Sequence, residues 1–159
     1  MNQNELTKTI NEIVTNILRP EEDITLFAAQ HLSKIVRSKA RELKVKSVVA
    51  IVNKGANPVL VECDDDSYIA SYDIALNKAF TSGSLKMSTK ELSKLAAPNG
   101  SLYGIQFTNN GKIVIFGGGE TLTDKKGNII GAIGVSGGNE EQDTFLAKYA
   151  KEMFEKGTY

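Results

Sequence analysis

Val48-Val49-Ala50-Ile51-Val52, Asn53-Lys54-Gly55-Ala56-Asn57 and Pro58-Val59-Leu60-Val61-Glu62 follow one another, and this stretch decides the fold. The first run is short, apolar and mostly β-branched, as expected of a central strand. The middle five residues are turn formers. The last run returns as a second strand, with Pro58 at its start, where a missing N–H is tolerated. Strand, tight turn and strand make a β-hairpin, and hairpins build antiparallel sheets.

Upstream, Ala28, Ala29, Leu32, Ile35, Val36, Ala40 and Leu43 recur at helical spacing, so a helix is expected from about Thr25 to Leu43, with Thr25 as its N-cap. Residues 4–18 carry a second stripe: Leu6, Ile10, Ile13, Val14, Ile17 and Leu18. Arg19-Pro20-Glu21-Glu22-Asp23 interrupts it, so residues 1–19 read as an amphipathic helix detached from a domain over 20–159.

Downstream, Asp64-Asp65-Asp66-Ser67 offers capping groups for a third helix, along which Ile69, Tyr72, Leu76, Ala79 and Phe80 recur. The three acids read as this cap rather than as a hard-cation site. Thr89 to Leu95 reads as a short helix and residues 112–116 as a strand. Thr121 to Asp124 reads as an edge strand, and Ile129 to Val135 as a further strand. Asn139 and Gln142 fit the capping box of a final helix. The order predicts an α+β fold: an antiparallel sheet of about five strands flanked by helices, a profilin-like α/β sandwich.

Lysine and arginine total 19, as do aspartate and glutamate. Zero net charge favours neither nucleic acid nor an anionic membrane as partner, and gives little protection against self-association. A single cysteine, Cys63, excludes an intramolecular disulfide and a cysteine-based zinc site. There is no secretory signal and no apolar run that spans a bilayer, so a cytoplasmic location is expected.

Four segments carry a family resemblance: Ile24-Thr25-Leu26 with Ala40-Arg41-Glu42-Leu43; Val48 to Val52; Ala70-Ser71-Tyr72-Asp73-Ile74-Ala75-Leu76-Asn77-Lys78-Ala79-Phe80-Thr81; and Leu102-Tyr103-Gly104 through Gly117-Gly118-Gly119 and Gly131 to Gly138, ending Glu141-Gln142-Asp143. In this order they resemble the GlcG/HbpS family, whose fold also forms the C-terminal domain of PduO-type proteins. Where members carry an acid and a glycine after the first strand, this chain has Asn53 and Ala56. Where they often carry Arg-Met, it has Cys63-Asp64. The resemblance implies haem or corrinoid (cobalamin-type) binding, homo-oligomers, and propanediol-type or glycolate pathway settings.

His31 is the only histidine, so it is the one imidazole available as an axial ligand to a tetrapyrrole metal. Tyr68, Tyr72, Met87 and Cys63 are the alternatives. Asp73, Asn77 and Lys78 form a polar strip on the third helix. Gly117, Gly118, Gly119, Gly137 and Gly138 match no phosphate-loop pattern, but they permit close backbone approach to a flat ligand. The cofactor-binding set is therefore His31, Asp73, Lys78 and these five glycines. One histidine and no nucleophile elbow argue against hydrolase chemistry.

The expected function is an accessory haem- or corrinoid-binding protein. A cofactor-free scaffolding module and an enzyme acting on a small metabolite are the alternatives. Residues 1–19 resemble the peptides that dock enzymes into bacterial microcompartments, with Leu6, Ile10, Ile13, Val14 and Ile17 as anchors for a shell protein.

Overall fold

A computed structural model describes residues 2–18 and 23–158, and for 11–18 the backbone alone. The expected anchors Ile13, Val14 and Ile17, and the linker residues 19–22, therefore lie outside what is described. Helix α1 spans Gln3–Leu18, and every side chain described in it is exposed, Leu6 and Ile10 included.

The domain begins with α2 (Leu26–Glu42). The Thr25 side chain accepts from the Ala28 N–H, as the sequence implies. Strands β1 (Val48–Asn53) and β2 (Pro58–Cys63) form the expected hairpin. Then follow α3 (Ser71–Leu85), α4 (Thr89–Leu95), β3 (Gly119–Thr123), β4 (Ile129–Ser136) and α5 (Glu140–Glu155). The sheet has order β2-β1-β4-β3, with every neighbouring pair antiparallel.

Alternation along the central strands divides the core. Val49 and Ile51 of β1, with Ile133 and Val135 of β4, face α2 and α5, where they meet Leu32, Val36, Leu146 and Ala150. Val48, Ala50 and Val52 point the other way, with Ala132, toward Ala75 and Ala79 of α3. The result is three layers, with α3 as the main helix on its face and the short α4 beside it against β3. Helix α3 lies flush on the sheet because both surfaces are small. A Cβ at Gly134 would overlap the Ala75 carbonyl oxygen and lie 2.6 Å from the Ala79 nitrogen.

Two expectations need correction. The described sheet has four strands, not about five, because residues 112–116 are irregular. Their backbone bonds to α3 instead of a ladder: the Val114 N–H donates to the Thr81 hydroxyl, whose own proton goes to the Asn77 carbonyl at 2.7 Å with the Lys112 carbonyl 3.3 Å away. The acids at 64–66 do not cap α3, which starts later, after Ala70, without a side-chain cap. Asp64 is drawn away by distant partners. It accepts from Arg37 at 2.7 and 2.9 Å and from both the backbone and hydroxyl of Ser47.

Desolvation pushes the Asp64 carboxyl up, but the Arg37 and Ser47 hydrogen bonds outweigh it and hold it below the usual carboxylate range. A carboxyl depressed in the folded state stabilises fully above its unfolded value near 3.9, and the contribution is lost as pH falls through the folded value. Urea denaturation from pH ~5 down to ~2 should therefore show a shallower acid loss of stability in Asp64→Asn than in the parent. Parallel curves would place that acid sensitivity elsewhere.

Candidate functional site

Apart from Asp73, the expected cofactor-site residues lie in or beside two places. One is a cleft on the α3 side of the sheet. The other is His31, on α2 across the sheet.

The cleft measures about 350 Å³ and opens to solvent between the start of α3, the loop before β3 and the β4–α5 turn. Tyr68, Ala70, Ile74 and Phe116 give it apolar walls, while Ser71, Ser136, Gly137, Gly138, Glu140 and Asp143 supply the polar lining. Lys78 lies beneath, fully buried. Its ammonium donates to Asp143 Oδ2 and to the Val135 carbonyl, both at 2.8 Å, and lies 5.0 Å from the centre of the Phe116 ring. Asp143 accepts from the Gly138 N–H on Oδ1 at 2.9 Å, and the Gly137 backbone N–H adds to this. Burial pushes the ammonium down and the carboxyl up. Both carboxyl oxygens act as acceptors here, so the pair is assigned as ionised, each charge held by the other.

Glycine-rich loops beside this pair reflect crowding. Gly118 has φ +116°, and a Cβ there would lie 2.6 Å from Lys78 Nζ. Gly117 and Gly119 abut the Thr144 hydroxyl and the α3 backbone. Gly137, with φ +147°, presses on the Lys46 carbonyl. The partner of Lys78 is Asp143, not its helix neighbour Asp73, which is exposed and does not line the cleft. Ser71, Ser136 and Asp143 were not singled out from the sequence. Asp143 is 65 residues from Lys78, and no local pattern marks the pair.

His31 sits on the outer face of α2. Its Nδ1 lies 3.0 Å from the Phe27 carbonyl oxygen, one turn back. A carbonyl only accepts, so Nδ1 carries the proton and Nε2 is the nitrogen with a free lone pair. The Phe27 ring packs on the imidazole at 4.2 Å between centres and is 70% exposed, and Leu26 beside it is half exposed. An exposed imidazole with its second nitrogen tied to a backbone carbonyl has the donor arrangement of a metal-ligating histidine. The chemistry of this donor set fits an axial ligand to haem iron or corrinoid cobalt. Tyr68 is exposed at the cleft mouth, Tyr72 is half exposed on α3, and Cys63 is exposed at the end of β2. No group of three or more potential metal-ligating side chains occurs among the described residues. No helix among them is long and apolar enough to cross a membrane.

The family model for the haem degrading protein HbpS-like family matches residues 24–152, from just before α2 to within α5. The chain is 45% identical over 131 residues to a 15.0 kDa protein in the dhaT–dhaS intergenic region of Citrobacter freundii, covering 82% of this chain and 92% of that one. It is 35% identical over 128 residues to the corrinoid adenosyltransferase PduO of Salmonella typhimurium, covering 80% of this chain but only 38% of PduO. Its fold superposes on the crystal structure of a PduOC–haem complex with TM-score 0.77 at 33% identity, covering 82% of this chain and 94% of that one. The chain belongs to the HbpS-like family.

Proposed function

We propose that this chain is an accessory haem-binding protein in which His31 is the axial ligand. The observation that carries this reading is the Nδ1 hydrogen bond to Phe27, which fixes the tautomer and leaves Nε2 free on an exposed apolar patch. Support also comes from the likeness to the PduOC–haem complex. Haem, when bound, supplies iron redox chemistry. His31 supplies a nitrogen ligand, and Leu26 and Phe27 supply an apolar floor. Because that floor is open, a second copy presenting the same patch would cover a flat ligand from the other side, which favours a homo-oligomer. Corrinoid cobalt also accepts an imidazole and is the runner-up, supported by the partial likeness to PduO.

Haem that binds only the native state raises stability by mass action, about 2.7 kcal/mol at a hundredfold excess over Kd. Melting of the whole chain should therefore rise with haem, and His31→Ala should abolish most of the rise. Equal stabilisation of both proteins would remove His31 from the site, and no stabilisation of either would remove haem. Cobinamide in place of haem separates the two tetrapyrroles.

A second reading concerns α1. Residues 2–10 are exposed throughout, and Leu6 and Ile10 are apolar. We propose that residues 1–19 form a unit separate from 20–159 and dock into a groove of a microcompartment shell protein. A fluorescent protein fused to residues 1–20 should form puncta when co-expressed with a shell, and Ile10→Asp should disperse them. Diffuse fluorescence of the unmodified fusion would contradict docking.

A further inference from the structure

We propose that the cleft between α3 and the β4–α5 turn is a second binding site, independent of His31, for a small uncharged molecule that carries a hydroxyl or carbonyl group on an apolar body. Its volume lies at the small end of the range for organic ligands. Tyr68, Ile74 and Phe116 provide the apolar contact.

The polar lining selects against an anion. Helix α5 begins here, and a glycine-rich turn before a helix is ordinarily suited to phosphate or carboxylate. In this chain the position is already filled from within. Asp143 takes the Gly138 N–H at 2.9 Å and, through the same carboxylate, the Gly137 N–H. Lys78, beneath the cleft, is consumed by Asp143 and the Val135 carbonyl. Glu140 at the rim binds Lys90 and the Gly117 N–H, which hold its carboxyl below the usual range. No lysine or arginine lines the cleft among the described residues. An entering anion would meet Glu140 and Asp143, whose cations Lys90 and Lys78 are already paired with them.

One donor remains. The Ser136 hydroxyl donates to Ser71 Oγ at 2.9 Å, and both side chains line the cleft. Ser71 is only 3% exposed, and whichever hydroxyl of the pair donates to the other, one of the two protons has no acceptor among the described residues. A buried hydroxyl with an unassigned proton at a cleft wall calls for an acceptor on a ligand. A carbonyl or hydroxyl oxygen meets that need without bringing charge.

Saturation-transfer NMR titration of the whole chain tests this with cyclohexanone and with cyclohexanecarboxylate, two probes that share a ring and differ in charge. Cyclohexanone should bind saturably, and the carboxylate at least about tenfold more weakly. Ser71→Ala should weaken cyclohexanone about fivefold, the loss of one neutral hydrogen bond. Phe116→Ala, whose ring is half exposed, should weaken it independently of Ser71, while His31→Ala should leave it unchanged. The proposal is overturned if cyclohexanone does not saturate, if the carboxylate binds as tightly, or if neither cleft variant alters binding while the chain remains folded. Loss of cyclohexanone binding in His31→Ala would overturn its independence from the haem site.

Discussion

Lys78→Met should destabilise the chain by about 3–5 kcal/mol, the usual effect of leaving a buried charge without its partner. Asp143 would remain almost fully buried at the start of α5, held only by backbone N–H groups. Asp143→Leu should cost a similar amount by stranding the Lys78 ammonium, whose one remaining hydrogen bond is to the Val135 carbonyl. The double variant should be more stable than either single one, because desolvation of both charges disappears together. Denaturant unfolding of the four proteins gives the coupling. Strictly additive losses would show that the two side chains do not act as an ion pair. The cleft should suffer as well, since Asp143 fixes Gly138 and Lys78 packs under Phe116.

Gly134→Ala should cost about 3 kcal/mol or more, a large effect for one methyl group. The position needs no unusual backbone angle; what it lacks is room. The new carbon would overlap the Ala75 carbonyl oxygen, and backbone in the middle of a helix cannot swing aside as a side chain can. Helix α3 would have to lift off β4, opening the layer made by Val48, Ala50, Val52 and Ala132. Gly127→Ala is the control: a Cβ there meets nothing within 4 Å, so its cost reflects only the positive φ of the turn. Similar losses at both positions would contradict the close-packing account.

Elements whose stabilising partners are local were legible in the sequence. Asn139 and Gln142 form the expected capping box, and the hairpin over residues 48–62 pairs as its turn residues imply. Failures came where a distant partner outcompeted the local pattern. The apolar run at 112–116 looks like a strand, yet Thr81, 33 residues upstream, takes the Val114 N–H. Asp64 has the chemistry of a cap, yet Arg37, 27 residues upstream, offers a charged partner that a helix N-terminus cannot match.

The candidate site divides the same way. His31 stood out as the sole histidine, and its Phe27 contact is a one-turn helical relation visible once the helix is placed. The glycines at 117–119 and 137–138 were visible, but their reason was not. They make room for Lys78, for α5 and for the Lys46 backbone, and the amides of Gly137 and Gly138 serve Asp143. Within one chain His31 and these glycines lie apart, because α2 and α3 pack on opposite faces of the sheet.

Axial-ligand spectroscopy of the ferric haem complex, by electron paramagnetic resonance and resonance Raman on the whole chain, tests the His31 assignment most directly. The account predicts nitrogen ligation in the parent protein, its loss in His31→Ala, and its return when free imidazole is added to that variant. The same ligation in His31→Ala without added imidazole would contradict it.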